Sequence, residues 1–444
     1  MDQINAALQW LNGYLWGPPM LVLLLGTHLF LTVRLRFIQR YLGLAIKLSF
    51  ARDEGGEGDV SHFGALTTAL AATIGTGNIV GVATAVSLGG PGAVLWCWLT
   101  GVFGIATKYA EALLAVKYRV RTADGTMLGG PMYALEKGLG QKWLAVLFSV
   151  FTAIAAFGIG NMVQANSIAE LLHESTGVSP WLTGVVMTLL VGVVILGGIR
   201  SIARVCEKLV PFMAIGYFIG CLAILALTYS TVPASLALIF RSAFTGQAAA
   251  GGFAGATVMM AARFGVARGL FSNEAGLGSA PIVAAAAQTS HHVRQALVSS
   301  TGTFWDTVVV CAMTGLVIVN SGDWTGGLNG ARLTKTAFSH IPYLGPAILT
   351  FGLLTFVFTT IIGWEYYGER AMEYLFGKKS IRPYRVAWVV AVLVGAVATL
   401  PVVWNFADAA NALMAIPNLV ALLLLNGVIL ADTRDYLWTH KKEL

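Results

Sequence analysis

The chain has 444 residues, of which 57% are hydrophobic and 11% charged, with a formal net charge of +7. A soluble protein carries roughly 25% charged residues, so no water-soluble core could hide this much apolar surface, and the chain reads as a polytopic membrane protein. Its basic residues are dispersed among short loops rather than gathered on one face, which excludes a nucleic-acid footprint.

A bilayer crossing needs about 20 mostly apolar residues. In chain order the predicted spans are 15–33, 62–88, 92–116, 143–172, 181–199, 209–229, 263–290, 296–319, 345–368, 385–403 and 408–430, eleven in all. Met1 to Trp16 lacks a basic region and predicts no cleavable signal peptide. Cys97, Cys206, Cys221 and Cys311 fall in or beside apolar runs without a C-x-x-C, and read as packing residues rather than disulfides or metal ligands.

The second span is interrupted by Gly75-Thr76-Gly77-Asn78 and the seventh by Gly276-Leu277-Gly278-Ser279. Laid on each other, Gly75 meets Gly276, Gly77 meets Gly278, and Val82, Ala83 and Ala85 meet Val283, Ala284 and Ala286. A broken helix survives in hydrocarbon only where protein, water or a ligand satisfies its backbone. Matched Gly-interrupted spans in two halves of a chain point to a secondary transporter with its site near the midplane. Glycines serving helix packing are the alternative.

Span three carries Lys108 and Glu111, an i, i+3 pair read as a structural ion pair. In span four, Asn161 and Gln164 share a face, and Gln164 suits either a substrate contact or an interhelical hydrogen bond. Residues 247–262, with Gly251 and Gly255, are too short for a span and read as an outer re-entrant or surface helix. Span seven places Arg268, Asn273 and Glu274 just before its break. Arg268 is a candidate anion attractor or gate, and Glu274 a candidate amide cap or coupling group. Asp306, midway along span eight, is a candidate partner of Arg268, a proton site or a structural acid. Span nine holds Thr359 and Thr360, whose hydroxyls either bond back to their own helix or ligate a hard cation. Trp364 walls a pocket or fills the core.

Lysines and arginines orient the chain. Of 28, only Arg241, Arg263, Arg332 and Lys335 fall on one side, while Lys108 and Arg268 lie at membrane depth. The positive-inside rule then puts the N-terminus outside and the C-terminus in the cytoplasm. Eleven spans divide as one plus five plus five, and an odd-numbered unit repeated in series must invert. The expected architecture is an all-α protein with broken helices 2 and 7. Its divisions are 1–61 (first span and cytoplasmic loop), 62–246 (first repeat), 247–430 (outer helix and second repeat) and 431–444 (cytoplasmic tail).

Freed amides at Thr76 and Gly77, at the start of a half-helix, suit a carboxylate, and half-helix carbonyls suit an ammonium or a sodium ion. A small zwitterion satisfies both. The sequence has no His/Cys metal cluster, no G-x-S-x-G and no Walker loop, and His291-His292 is an isolated loop pair, so no enzyme and no cofactor are expected.

The run from Gly89 to Gly104, Gly-Gly-Pro-Gly-Ala-Val-Leu-Trp-Cys-Trp-Leu-Thr-Gly-Val-Phe-Gly, resembles the signature of the sodium:alanine symporter family, with Leu95-Trp96-Cys97-Trp98 where the family usually has Phe-Trp-Met-Trp. Gly75 to Asn78 and Arg268 to Pro281 also resemble that family's pattern. The resemblance implies a leucine-transporter-type fold of five plus five inverted helices, importing alanine or glycine with Na⁺ across the plasma (inner) membrane. It places substrate contacts on Thr76, Gly77, Asn78, Gln164, Leu277, Gly278 and near Trp364. It places sodium on the carbonyls of Ala71 and Ile74 with the hydroxyls of Thr359 and Thr360. Proton coupling through Glu274 or Asp306 is the same-class alternative. A channel or membrane receptor is the different-class one, and no ring of repeated polar residues favours it.

Overall fold

The computed structural model describes residues 2–51, 56–245, 258–398 and 401–439. Helices α1 (Asp2–Leu15) and α2 (Pro18–Arg34) meet at a 43° bend where two prolines open α2, and α3 (Leu42–Ser49) follows. The predicted second span is α4 (His62–Thr73) and α5 (Gly77–Gly89), bent by 51°. Next come α6 (Gly92–Lys117), a short hairpin of β1 (Val120–Arg121) with β2 (Met127–Leu128), α7 (Lys142–Thr176), α8 (Pro180–Ile195), α9 (Gly198–Leu227) and α10 (Val232–Phe244). The rest is α11 (Val258–Asn273), α12 (Pro281–Ala284), α13 (His292–Ser321), α14 (Gly330–Ser339), α15 (Leu344–Phe376), α16 (Ile381–Val397), α17 (Pro401–Leu424) and α18 (Asn426–Thr433).

Among the described residues, seven helices are long and apolar enough to cross a membrane, or up to nine if each bent pair is one crossing. The expected eleven spans exceed this. One reason is length: α8 and α11 have 16 residues each, about 24 Å at 1.5 Å per residue, short of a hydrocarbon core about 30 Å thick. The expected outer helix over 247–262 mostly lies outside the described residues, and Val258 onward is the first turn of α11.

Bilayer spans gain little from mutual hydrophobicity, so close approach matters more. Gly265 and Gly269 set α11 directly on α6: a Cβ at either would collide with Ala93 or Thr100. Gly101 does the same for α6 against Thr307 of α13. This places α6 at the centre, touching both the helix before the second break and the helix carrying Asp306. The outward apolar side chains of α8 and α9, Leu189, Val193, Phe212 and Ile219 among them, are exposed because their solvent is lipid.

Candidate functional site

The first break is short and stitched by side chains. After Thr73 the backbone turns extended at Ile74. Asn78 caps the restart, its Oδ1 accepting from the Gly75 amide at 2.8 Å. The Thr76 amide, an expected carboxylate donor, donates to Gln164 Oε1 at 3.2 Å. Gln164 reaches it from α7, beside a π-helical stretch from Ala156 to Met162, and its own amide donates to Ile159 O. Such widened turns redirect side chains and are frequent at functional sites. The Thr76 hydroxyl is buried and has no hydrogen-bond partner among the described residues.

Thr360 spans the gap from α15. Its hydroxyl lies 3.1 Å from the Ala71 carbonyl and 3.2 Å from that of Ile74. These three of the four expected sodium ligands are therefore together. Gly75 makes this possible, since a Cβ there would lie 2.5 Å from Thr360 Oγ1. Thr359 differs: its hydroxyl donates to Phe356 O of its own helix at 3.1 Å and lies 3.5 Å from Met213 Sδ.

Asn78 also ties the break to α13, its Nδ2 donating to Asp306 Oδ1 at 2.8 Å. Asp306 further accepts from Ser272 at 3.0 Å and Thr307 at 2.6 Å. It is not the partner of Arg268. Arg268, on α11 ahead of the second break, pairs instead with Asp408 of α17 at 3.6 Å, while Asp306 is taken up by hydroxyls and an amide. Arg268 and Phe271 separate two cavities. One of about 220 Å³ touches Thr76, Gly81 and Trp404. The other, about 190 Å³, is lined by Asn12, Trp16, Arg263 and Asp408.

The second break is built differently. Glu274, Gly276 and Gly278 all have positive φ, at 57°, 91° and 84°. The amides of Gly276 and Gly278 both donate to Glu111 Oε1 at 3.0 Å, and Asn418 adds a third donor at 2.6 Å. Glu111 thus caps the freed amides from α6, one of the two roles for which Glu274 was a candidate. Glu274 instead accepts from Ser279 at 2.5 Å. The expected Lys108–Glu111 ion pair is absent among the described residues, and Lys108 Nζ is buried without a hydrogen-bond partner. The second half-helix is also shorter than expected. After α12 the chain pairs with residues 56–60 through bridges Glu57–Thr289 and Val60–Ala287. Arg119 fastens this seam, donating to the carbonyls of Glu57, Ala285, Ala287 and Thr289. Burial lowers its guanidinium pKa, opposed by Glu57 and Asp59.

Thr76, Asn78 and Gln164 come together directly, and Gly77 packs on Ser272 and Phe271 of α11. Leu277 is fully buried, Gly278 abuts Pro131, Phe148 and Asn418, and Trp364 packs on Gly160 and edge-on to Tyr367. No hydrogen bond joins these last three to Thr76 among the described residues. Sequence reasoning missed Asp408 and Asn418, although a charged or amide side chain inside a span was itself the signal. It also missed Arg119, which looked like one more loop charge.

The model of the sodium:alanine symporter family matches residues 1–444. The chain is 53% identical over 438 residues to an uncharacterized transporter of Haemophilus influenzae, covering 98% of this chain and 96% of that one. It is 53% identical over 443 residues to the sodium/alanine symporter AgcS of Methanococcus maripaludis, covering 97% of each. Its fold is similar to that in the crystal structure of MhsT in complex with L-phenylalanine, with a TM-score of 0.61, 15% identity, and coverage of 85% of this chain and 92% of that one. That likeness agrees with the expected leucine-transporter-type fold. With a family model matched end to end and a broken-helix site at its centre, the chain belongs to the sodium:alanine symporter family and is a cation-coupled amino-acid symporter, not an enzyme.

Proposed function

We propose that the protein imports alanine or glycine together with Na⁺ by alternating access. The observation that carries this reading is the Thr360 hydroxyl set between the Ala71 and Ile74 carbonyls across a broken helix. Na⁺ prefers uncharged oxygen ligands, and unwound backbone supplies them. The relative AgcS bears both sodium and alanine in its name. Thr359 joins the ion after a rotamer change that releases Phe356 O.

The amino acid is placed beside the cation, its carboxylate on the Thr76 and Gly77 amides and its body near Asn78, Gln164, Leu277, Gly278 and Trp364. The unpartnered Thr76 hydroxyl and the adjoining cavity of about 220 Å³ support entry there. Arg268 and Asp408 form the gate between that cavity and the next. Eleven spans, arranged as one plus an inverted pair over 62–246 and 247–430, with the N-terminus outside and residues 431–444 in the cytoplasm, complete the proposed architecture.

The test is uptake of labelled alanine and glycine into proteoliposomes under an inward sodium gradient. Accumulation that vanishes when choline replaces sodium at fixed pH is expected. Equal uptake in choline would remove sodium coupling. It would favour the proton reading, in which Asp306 or Glu274, both buried carboxylates without a Lys or Arg within 4 Å among the described residues, carries the coupling proton.

A further inference from the structure

Glu365 sits on α15, five residues beyond Thr360, and is fully buried. Neither of its carboxylate oxygens has a nitrogen or hydroxyl donor within hydrogen-bond geometry among the described residues, and the Glu369 carboxyl lies beside it. The nearest cation is Arg385 of α16, whose Nε is 3.7 Å from Glu365 Oε1. That nitrogen is held more closely by Glu369 Oε2, at 2.5 Å, while Arg385 Nη1 reaches the Leu196 carbonyl at 3.4 Å. Arg370, on the same turn, pairs with Glu369 and Glu373. Lys378, at the end of this cluster, pairs with Asp124.

Three buried carboxylates therefore share two guanidiniums. Fully ionised, the cluster would bury an uncompensated negative charge, and buried charges persist only when paired and hydrogen-bonded. Glu365 is the member without a nitrogen or hydroxyl donor among the described residues. Nearby polar atoms are in the same condition: Tyr384 Oη and, on the ring packed against Tyr384, Trp388 Nε1 are buried without partners among the described residues. The charged groups acting on Glu365 are Glu369 and Arg370 of α15 and Arg385 of α16. From α7 come Phe157, edge-on to Tyr384 and tilted against Trp388, and Asn161, which donates to Trp388 O. From the turn after α8 comes the Leu196 carbonyl, which accepts from Arg385.

We propose that Glu365 is a proton-binding site, occupied in this conformation and separate from the broken-helix site. The setting suits a proton and not a metal ion. The indole N–H of Trp388 can only donate, and the Arg385 guanidinium repels a second cation. A proton removes the excess charge and needs no oxygen cage. Protonated Glu365 also supplies an O–H to a pocket that holds the Tyr384 hydroxyl. Resting on the sodium reading above, one consequence follows. Losing the proton places a negative charge about 7.5 Å along the helix axis from Thr360, at 1.5 Å per residue. That charge favours a cation at Thr360, so the apparent sodium affinity rises with pH.

The first arm of the test does not depend on transport. Thermal unfolding of the purified full-length protein is followed against pH for wild type and Glu365→Gln, since glutamine copies the shape and neutrality of the protonated acid. The native state holds a proton that an unfolded glutamate releases at lower pH. Wild-type stability therefore declines as pH rises, and the variant lacks that decline. A variant that folds with near wild-type stability at neutral pH and a flatter profile is expected. A variant that fails to fold, or matching profiles, would overturn the proposal, because an ionised Glu365 held by Arg385 gives those results.

The second arm measures half-saturating sodium for alanine uptake from mildly acidic to mildly alkaline pH. It should fall about threefold or more in wild type and stay level in the variant. A level wild-type profile with sodium-driven uptake intact would overturn the link to the cation site. Uptake indifferent to sodium would remove the broken-helix reading and leave the stability arm to decide Glu365.

Discussion

Thr359 and Thr360 are adjacent in sequence and share a chemistry, yet only Thr360 reaches across to Ala71 and Ile74. Thr359 bonds back to Phe356, as a helical threonine usually does. If Thr360 is a cation ligand, Thr360→Ala should raise half-saturating sodium by about tenfold or more, worth about 1.4 kcal/mol. Thr360→Ser should restore most of it, and Thr359→Ala should cost less than Thr360→Ala. A sodium titration of alanine uptake checks this, and an unshifted Thr360→Ala titration would discard Thr360 as a ligand. The threonine pair was legible because two hydroxyls inside an apolar run stand out. Which one faces the break was not, because that depends on the rotation of α15 about its axis, fixed by contacts such as Gly363 against Ala72.

The two Gly-x-Gly elements show how far a sequence match can carry. Both interrupt an apolar run, and both breaks are present. Their glycines, however, act in different ways. Gly276 and Gly278 are needed for positive φ, which L-residues rarely adopt. Gly75 is needed for space against Thr360 and Gln164, and Gly77 for contact with α11. A letter code cannot tell a dihedral requirement from a volume requirement. Nor could it reveal that Glu111, on another helix, gathers three donors at the second break. A hydrogen bond to a charged group contributes about 1.5–3 kcal/mol. Glu111→Ala, which leaves the two glycine amides unpaired, should lower the unfolding temperature by several degrees more than Glu111→Gln, which keeps one acceptor oxygen. Thermal unfolding of the purified variants distinguishes them, and equal losses would mean that the carboxylate does not hold the break.

At the scale of the whole molecule, apolar length and loop charge made the membrane class and most helices legible. The short α8 and the start of α11 left the crossing count open, since length is the very quantity the count uses. The seam between residues 56–60 and 285–289 was hidden for another reason: it is made of backbone pairing, and Gly56 and Gly58, where a Cβ would strike Thr289 or Gln288, read in the sequence as ordinary loop glycines. Arg119 is the side chain that fastens it. Arg119→Lys keeps the charge but loses the planar fork that reaches four carbonyls. Amide exchange at residues 57–60 and 286–289 should accelerate by about tenfold in that variant, equivalent to about 1.4 kcal/mol of lost protection. Unchanged exchange would show that the strand pairing holds without the arginine.

That seam also constrains how the transporter moves. It joins the chain just ahead of the first interrupted helix to the chain just after the second. Two hinged rods fastened at neighbouring ends cannot swing independently, so tilting one drags the other. On the proposed reading, a cargo gripped between them is carried as if in one hand, and a half-open state with a single rod displaced would first have to tear that fastening.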